Sequence, residues 1–143
     1  MLSTILSLLL FITLIVLGFI HFNWVLGGKW GFEAALPTNE AGKRVLNPKK
    51  SDSLIVGLGL SAFGTFYLFQ AVFKAIEMPN WLTTYGGWII PSIFLLRAIG
   101  DFKYVGFFKR IKSTAFAKMD TKLFSPLCLF IAFAGFAIQL LAG

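Results

Sequence analysis

Residues 2–22 read LSTILSLLLFITLIVLGFIHF, an apolar run without Asp, Glu, Lys or Arg. At a rise of about 1.5 Å per residue, a helix of this length extends about 31 Å, which matches a hydrocarbon core about 30 Å thick. The run lacks the preceding basic residue and the following small-x-small motif that are typical of a cleaved signal peptide. We therefore expect residues 2–24 to form a transmembrane helix that is retained.

Three further apolar stretches of similar length follow, at about residues 53–74, 81–99 and 121–142. Only 13% of the 143 residues are charged, whereas a soluble domain carries about a quarter. So few charges could not cover a water-exposed surface. The sequence predicts an all-α polytopic membrane protein, with one domain over residues 1–143 and four transmembrane helices in an antiparallel bundle.

The helix ends carry recognisable signals. Ser51-Asp52-Ser53 resembles a capping sequence before the second helix, and Asp120 is interpreted as the cap of the fourth. Gly86-Gly87 and Pro91 make the third helix the least regular. Pro126 predicts a slight kink near the start of the fourth helix.

The basic residues are concentrated in two regions. The first loop contains Lys29, Lys43, Arg44, Lys49 and Lys50. The end of the third helix and the sequence after it contain Arg97, Lys103, Lys109, Arg110, Lys112, Lys118 and Lys122, and only Lys74 lies on the opposite side. The positive-inside rule then predicts that both loops are cytoplasmic and both termini outside. The net charge of +7 is therefore interpreted as a topology signal and not as nucleic-acid binding.

The sequence between the third and fourth helices interleaves aromatic and basic side chains. Within residues 102–116, Tyr104, Phe107 and Phe108 alternate with Lys103, Lys109, Arg110 and Lys112. This pattern predicts a short amphipathic segment on the cytoplasmic leaflet. Membrane lipids with anionic headgroups are its expected partner.

Polar residues cluster at the predicted cytoplasmic ends of the first and third helices. His21 and Trp24 share one helical face, and Arg97, Asp101 and Tyr104 share another. Arg97 is either an anchor for a carboxylate or phosphate, or the ion-pair partner of Asp101. His21 is the candidate acid/base, oriented by Asp101, or else an interfacial ring bonded to a loop carbonyl or to Asp101.

Further candidates for ligand binding lie close to these residues in the sequence. They are Trp30, Lys103 and Glu33, together with Trp24 and Tyr104. One histidine and a distant cysteine, Cys128, do not supply a zinc ligand set, so no metal is predicted. The sequence indicates no particular cofactor.

Four strings in this chain resemble a bacterial family of small membrane proteins, the domain of unknown function 3995 family. These strings are His21–Trp24, Gly27–Gly31, Arg97–Lys109 and Ser125–Leu129. The resemblance covers essentially the whole chain. It implies a bacterial four-helix membrane protein without an assigned activity, and it supplies no catalytic residues.

Three functions remain open on the sequence. The first is binding of a lipid-like or other amphipathic anionic ligand by Arg97, His21 and Tyr104, with the tail between the helices. The second is an intramembrane enzyme acting on a lipid or isoprenoid, with His21 as acid/base. The third is a small homodimeric transporter, and a role as partner of another membrane protein is also open.

Overall fold

The computed structural model describes residues 2–30, 32, 35–39, 41, 43, 49–72 and 78–142. Helix α1 spans Leu2–Val25, α2 spans Lys50–Ala71 and α3 spans Asn80–Ile99. Helix α4 begins with Ala115–Met119, passes through a π-helical turn at Asp120–Phe124 and continues as Ser125–Ala142. These described residues contain no extended strand, so the all-α prediction is confirmed.

All four helices are long and apolar enough to cross a membrane. Large apolar side chains on α1 face outward at helical spacing, where hydrocarbon would cover them, namely Ile5, Leu9, Ile12, Val16 and Phe19. An exposed apolar stripe of this kind on a soluble protein would be an aggregation liability. The helices therefore support a multi-pass membrane protein.

Small residues bring α1 and α2 together. A Cβ atom at Gly18 would lie 2.7 Å from Ser61 Oγ and 3.2 Å from the Gly57 carbonyl oxygen. A Cβ atom at Gly64 would lie 3.1 Å from Cγ1 of Ile15. These contacts leave no room for larger side chains, as expected for helices that approach closely in lipid.

Helices α3 and α4 pack along a second contact, and all four helices share one core. A Cβ atom at Gly135 in α4 would lie 2.8 Å from Cβ of Pro91 in α3 and 2.9 Å from Oη of Tyr67 in α2. The core residues from the four helices include Leu10, Leu14, Leu60, Tyr67, Ile90, Phe94, Ile131 and Ile138. Gly135 thereby allows α4 to lie close to both α3 and α2.

Helices α2 and α4 begin several residues before their predicted starts because of local capping. Helix α2 starts at Lys50, since a carboxylate oxygen of Asp52 accepts the Lys49 N–H at 2.8 Å. Lys74, near the predicted end of this helix, lies outside the described residues. Helix α4 starts at Ala115, where the Thr114 hydroxyl accepts the Ala117 N–H at 3.0 Å.

The irregularity of α4 is a π-helical turn directly before Pro126. Proline has no N–H to donate to the carbonyl of Lys122, four residues earlier. In the π turn the Ser125 N–H reaches the Asp120 carbonyl instead, in an i→i+5 bond. The predicted disturbance at Pro126 therefore takes the form of a widened turn on its N-terminal side.

Candidate functional site

Asp120 is the centre of a buried polar cluster where α3, the following loop and α4 meet. Its Oδ1 accepts from Arg97 Nη2 at 2.8 Å. Its Oδ2 accepts from the Gly106 N–H at 2.7 Å, from Ser125 Oγ at 3.0 Å and from Lys109 Nζ at 3.2 Å. We call these five residues the Asp120 cluster.

Burial makes the charges of the Asp120 cluster strongly interdependent. The side chain of Asp120 is 0% exposed and that of Lys109 is 1% exposed, whereas that of Arg97 is 33% exposed. The Lys109 ammonium also donates to the Gly106 carbonyl at 3.0 Å and to the Thr121 hydroxyl. Two cations thus share one carboxylate, which is held by four donors.

The interpretation of Asp120 as a helix cap is wrong, because Asp120 lies inside α4 and α4 begins at Ala115. The sequence also left open an Arg97–Asp101 ion pair. In the structure Arg97 pairs with Asp120 instead. Asp101 accepts the backbone N–H groups of Lys103, Tyr104 and Val105 at 2.9, 2.8 and 3.1 Å.

Asp101 is consequently a loop-organising carboxylate. Desolvation opposes its ionisation, but the backbone hydrogen bonds outweigh that effect and lower the pKa of Asp101 below its ordinary value. All three donors contact the same oxygen, Oδ1. Ionised Asp101 therefore fixes the backbone directly after α3.

The loop after α3 also closes through two glycines in the left-handed region. Gly100 has φ 87° and Gly106 has φ 89°. A Cβ atom on Gly106 would overlap the Ile99 carbonyl, and one on Gly100 would overlap the Val105 carbonyl. The two backbone segments can approach this closely only because both positions lack a side chain.

A second polar region surrounds Trp24 near the C-terminal end of α1. Its indole Nε1 donates to the Trp30 carbonyl at 2.6 Å. Its ring contacts those of His21 and Phe32, with centroid separations of 4.6 and 5.4 Å. Trp24 thereby holds the chain that follows α1 against the helix.

In the part of the chain that the structure describes, three clefts open beside Trp24. The basic cleft, of about 250 Å³, is lined by Trp24, Gly28, Lys29, Lys49, Lys50 and Ser53 among others. The histidine cleft, of about 290 Å³, is lined by His21, Trp24, Leu36, Asp52, Ser53 and Val56 among others. The apolar cleft, of about 280 Å³, is lined by Leu17, Ile20, Trp24, Trp30, Leu123 and Leu127 among others. Trp24 is common to all three.

The histidine in the second cleft has a defined tautomer. Nδ1 of His21 lies 2.7 Å from the Leu17 carbonyl oxygen, which can only accept a hydrogen bond, so Nδ1 carries the proton. In the neutral ring Nε2 is then the basic nitrogen. For an interfacial His21 ring the expected partner is a loop carbonyl or Asp101, whereas its partner here is a carbonyl within α1 itself.

Residues 14–135 match the family described as "Protein of unknown function (DUF3995)". The chain belongs to the DUF3995 family. The match includes Trp24 and every residue of the Asp120 cluster, and it confirms the resemblance seen in the sequence. Neither the curated proteins nor the solved structures contain a match to this chain.

The predicted site residues of this DUF3995 chain lie in two separate regions. His21, Trp24 and Trp30 lie around the three clefts, whereas Arg97 and Asp101 take part in the polar contacts after α3. The hydrogen bonds and ion pairs of the described residues do not join His21 to either Arg97 or Asp101.

The remaining predicted residues add little to either place. Lys103 lies over the ring of Tyr104, with Nζ 5.0 Å from its centroid. Glu33 lies outside the described residues. Within the described ranges, no group of three or more His, Cys, Asp and Glu side chains could hold a metal ion.

Sequence reasoning missed two sets of residues in this DUF3995 protein. One is the Asp120 cluster, for which a signal existed, because Asp120 is the only acidic residue after Asp101 in a strongly basic region. The other is the lysine lining of the basic cleft, formed by Lys29, Lys49 and Lys50. These lysines were counted for topology, and nothing in their spacing indicates that they converge.

Proposed function

We propose that this DUF3995 protein binds an amphipathic anionic ligand beside Trp24, with the tail in the apolar cleft and the head in the basic cleft. The observation that carries the proposal is that one side chain, Trp24, lines both clefts. A ligand passing over the indole would meet hydrocarbon on one side and ammonium groups on the other. Pockets that combine apolar walls with a few convergent polar groups are typical of small-molecule sites.

The apolar cleft suits an acyl or isoprenoid chain. Leu17 and Ile20 of α1 and Leu123 and Leu127 of α4 supply aliphatic walls. Trp24 and Trp30 contribute aromatic faces, and tryptophan is enriched at the boundary between hydrocarbon and headgroups. A flexible tail bound there would exchange its contacts with membrane lipid for similar apolar contacts with the side chains of the cleft.

The basic cleft suits a phosphate or carboxylate head. Three lysines, Lys29, Lys49 and Lys50, are among its lining residues. Lys50 is also the first residue of α2, whose N-terminal end attracts anions. Arg97, the anchor expected from the sequence, is already paired with Asp120, so these lysines take its place in the proposal.

The proposed setting is a bacterial inner membrane with both basic loops cytoplasmic and the helices in an antiparallel bundle. Support for the bundle comes from the order of contacts, because Gly18 of α1 meets Ser61 whereas the earlier Ile15 meets the later Gly64. Support for the orientation comes from the basic loops. The anionic cytoplasmic leaflet would then supply ligands directly to the basic cleft.

A second candidate function, an intramembrane enzyme acting on a lipid or isoprenoid, is favoured by the histidine cleft. His21 Nε2 is the basic nitrogen, and Asp52 and Ser53 line the same cleft. A ligand lying over Trp24 would be adjacent to this cleft. If lipid extracts incubated with the protein and with His21→Asn remain identical, this candidate is rejected while binding is unaffected.

Binding is tested by titrating the detergent-purified protein with dodecyl phosphate and counting bound copies by native mass spectrometry. The Lys29→Gln/Lys49→Gln/Lys50→Gln variant is expected to bind at least about tenfold more weakly, since each lysine near an anion contributes about 1 kcal/mol. Trp24→Ala is expected to weaken binding as well, because it removes the wall common to both clefts.

The matched control is Lys103→Gln/Arg110→Gln/Lys112→Gln, which removes the same charge from exposed positions in the other basic region. It should retain the tightest-bound copy of dodecyl phosphate that the wild type holds, although it loses any weaker copies bound at that surface. Dodecyl maltoside, with the same tail and a neutral head, reports tail binding alone. Equal binding by both triple variants, with circular dichroism unchanged, would reject the basic cleft as the head site.

A further inference from the structure

We infer that residues 100–112, here called the aromatic loop, form a preformed docking surface for anionic lipid headgroups. This surface is separate from the clefts at Trp24 and does not depend on the proposed function. Its chemistry is that of an interfacial anchor, with aromatic rings at the depth of the glycerol groups and cations at the phosphates.

The aromatic loop presents its rings outward. Phe102 and Phe108 are each 64% exposed, and their ring centroids lie 6.4 Å apart. Phe107 is also exposed. Burying these rings at a membrane boundary removes apolar surface from water, which is the main favourable term in such contacts.

The exposed charge around these rings is predominantly positive. Lys103, Arg110 and Lys112 are exposed on the loop, and Lys118 and Lys122 are exposed on the first turns of α4. Of the two nearby carboxylates only Asp101 is exposed, and it offsets one of these five positive charges. Asp120 is buried with two cations, and Asp101 is held by three backbone N–H groups. The complementary surface is therefore anionic.

The loop is held in shape without being helical. The Phe107 N–H donates to the Ala98 carbonyl at 2.8 Å, and the N–H groups of Arg110 and Ile111 donate to the Lys103 carbonyl at 3.1 and 2.9 Å. Phe102 has φ 66°, a left-handed conformation that non-glycine residues rarely adopt. Because these contacts fix the backbone, little conformational freedom remains to be lost on contact with lipid.

The neighbouring helices indicate the depth of the loop. Leu96 is exposed in the last turns of α3, and Leu123 is exposed directly after Lys122 in α4. The exposed surface thus changes from apolar to basic at both ends of the loop. This change is what the boundary between hydrocarbon and headgroups requires of a membrane protein.

The test measures the depth of a spin label in vesicles containing the full chain. A nitroxide is attached at Phe108→Cys in a Cys128→Ala background, in phosphatidylcholine alone or mixed with phosphatidylglycerol. In the mixed vesicles the label is expected to collide several-fold less often with an aqueous nickel chelate than in pure phosphatidylcholine. Adding Lys103→Gln/Arg110→Gln/Lys112→Gln should abolish that difference.

Two controls separate this inference from the proposed ligand site. A label at Phe133→Cys, on the exposed face of α4, should be unaffected by lipid charge. Adding Lys29→Gln/Lys49→Gln/Lys50→Gln should leave the Phe108 label at its wild-type depth. A Phe108 label whose nickel collisions are equal in the two lipid compositions, whether shallow or deep, would overturn the inference.

Discussion

Asp120→Asn is expected to lower the free energy of unfolding by about 3 to 5 kcal/mol, the usual cost of removing one partner from a buried ion pair. The substitution leaves Lys109 with an ammonium that is 1% exposed and has no counter-charge. Arg97 loses the acceptor of its 2.8 Å hydrogen bond as well. The Gly106 N–H and the Ser125 hydroxyl retain only an amide as their acceptor, so the loop and α4 are both affected.

The measurement is unfolding by sodium dodecyl sulfate in mixed micelles, followed by far-ultraviolet circular dichroism. Asp101→Asn is the matched control, because it neutralises a carboxylate in the same region that is exposed and accepts only backbone donors. Its effect should be distinctly smaller. Lys109→Met in the Asp120→Asn background should recover part of the loss, since it removes the unpaired ammonium. An Asp120→Asn protein as stable as Asp101→Asn would show that the cluster does not stabilise the fold.

The second large effect is expected from Gly106→Ala. Holding a non-glycine residue in a sparsely populated backbone region costs about 1 to 3 kcal/mol. Here the new methyl group also overlaps the Ile99 carbonyl, a backbone atom that cannot rotate away. Relief requires the loop to separate from the end of α3, which would break the 2.7 Å bond between the Gly106 N–H and Asp120.

Gly59→Ala is the control, because it is the same substitution but is expected to stabilise the protein instead of destabilising it. Gly59 lies within α2, and apart from its chain neighbours and the local helix backbone no atom would lie within 4 Å of a Cβ atom there. Replacing glycine in a helix by alanine stabilises it by about 0.5 to 1 kcal/mol. In thermal unfolding in one detergent, the midpoint of Gly106→Ala should therefore lie below that of the wild type and the midpoint of Gly59→Ala above it. A Gly106→Ala protein that melts with or above the wild type would contradict the strained geometry of the loop.

The helices could be predicted from the sequence because a membrane span depends on length and apolarity alone. Leu2–Val25 follows almost residue for residue from its hydrophobic run. The starts of α2 and α4 were less accessible, because they depend on hydrogen bonds made by Asp52 and Thr114. Each of these side chains could cap a helix that begins at any of several residues, and the flanking backbone decides which of them it is.

The Asp120 cluster could not be predicted from the spacing of residues along one helix. The spacing of Arg97 and Asp101 suggests an ion pair between neighbouring helical turns. The helix ends at Ile99, however, so Asp101 lies beyond it and turns to the backbone of its own loop. The partner of Arg97 comes from α4 instead, and its position depends on how the loop folds. Local spacing alone does not predict such a pairing.

The clefts at Trp24 were predicted only in part. His21 and Trp24 share a helical face, and their rings are in contact as that spacing suggests. The approach of Lys49 and Lys50 to Lys29 depends on the packing of α1 against α2. That packing follows from glycines such as Gly18 and Gly57, which indicate close approach but not which lysines meet.

The π-helical turn at Asp120–Phe124 has a consequence for how relatives of this chain can differ in length. Such a turn accommodates one residue more than a regular turn, while the helix beyond it keeps nearly the orientation it would have without that residue. Deleting one residue inside the turn would leave the same side of Ser125–Ala142 against α3. The same deletion further along α4 would rotate everything after it by about 100°. Among DUF3995 sequences, single-residue gaps in the fourth helix are therefore expected at this turn. If two sequences that differ there by one residue were aligned without the gap, core positions of one would be paired with lipid-facing positions of the other.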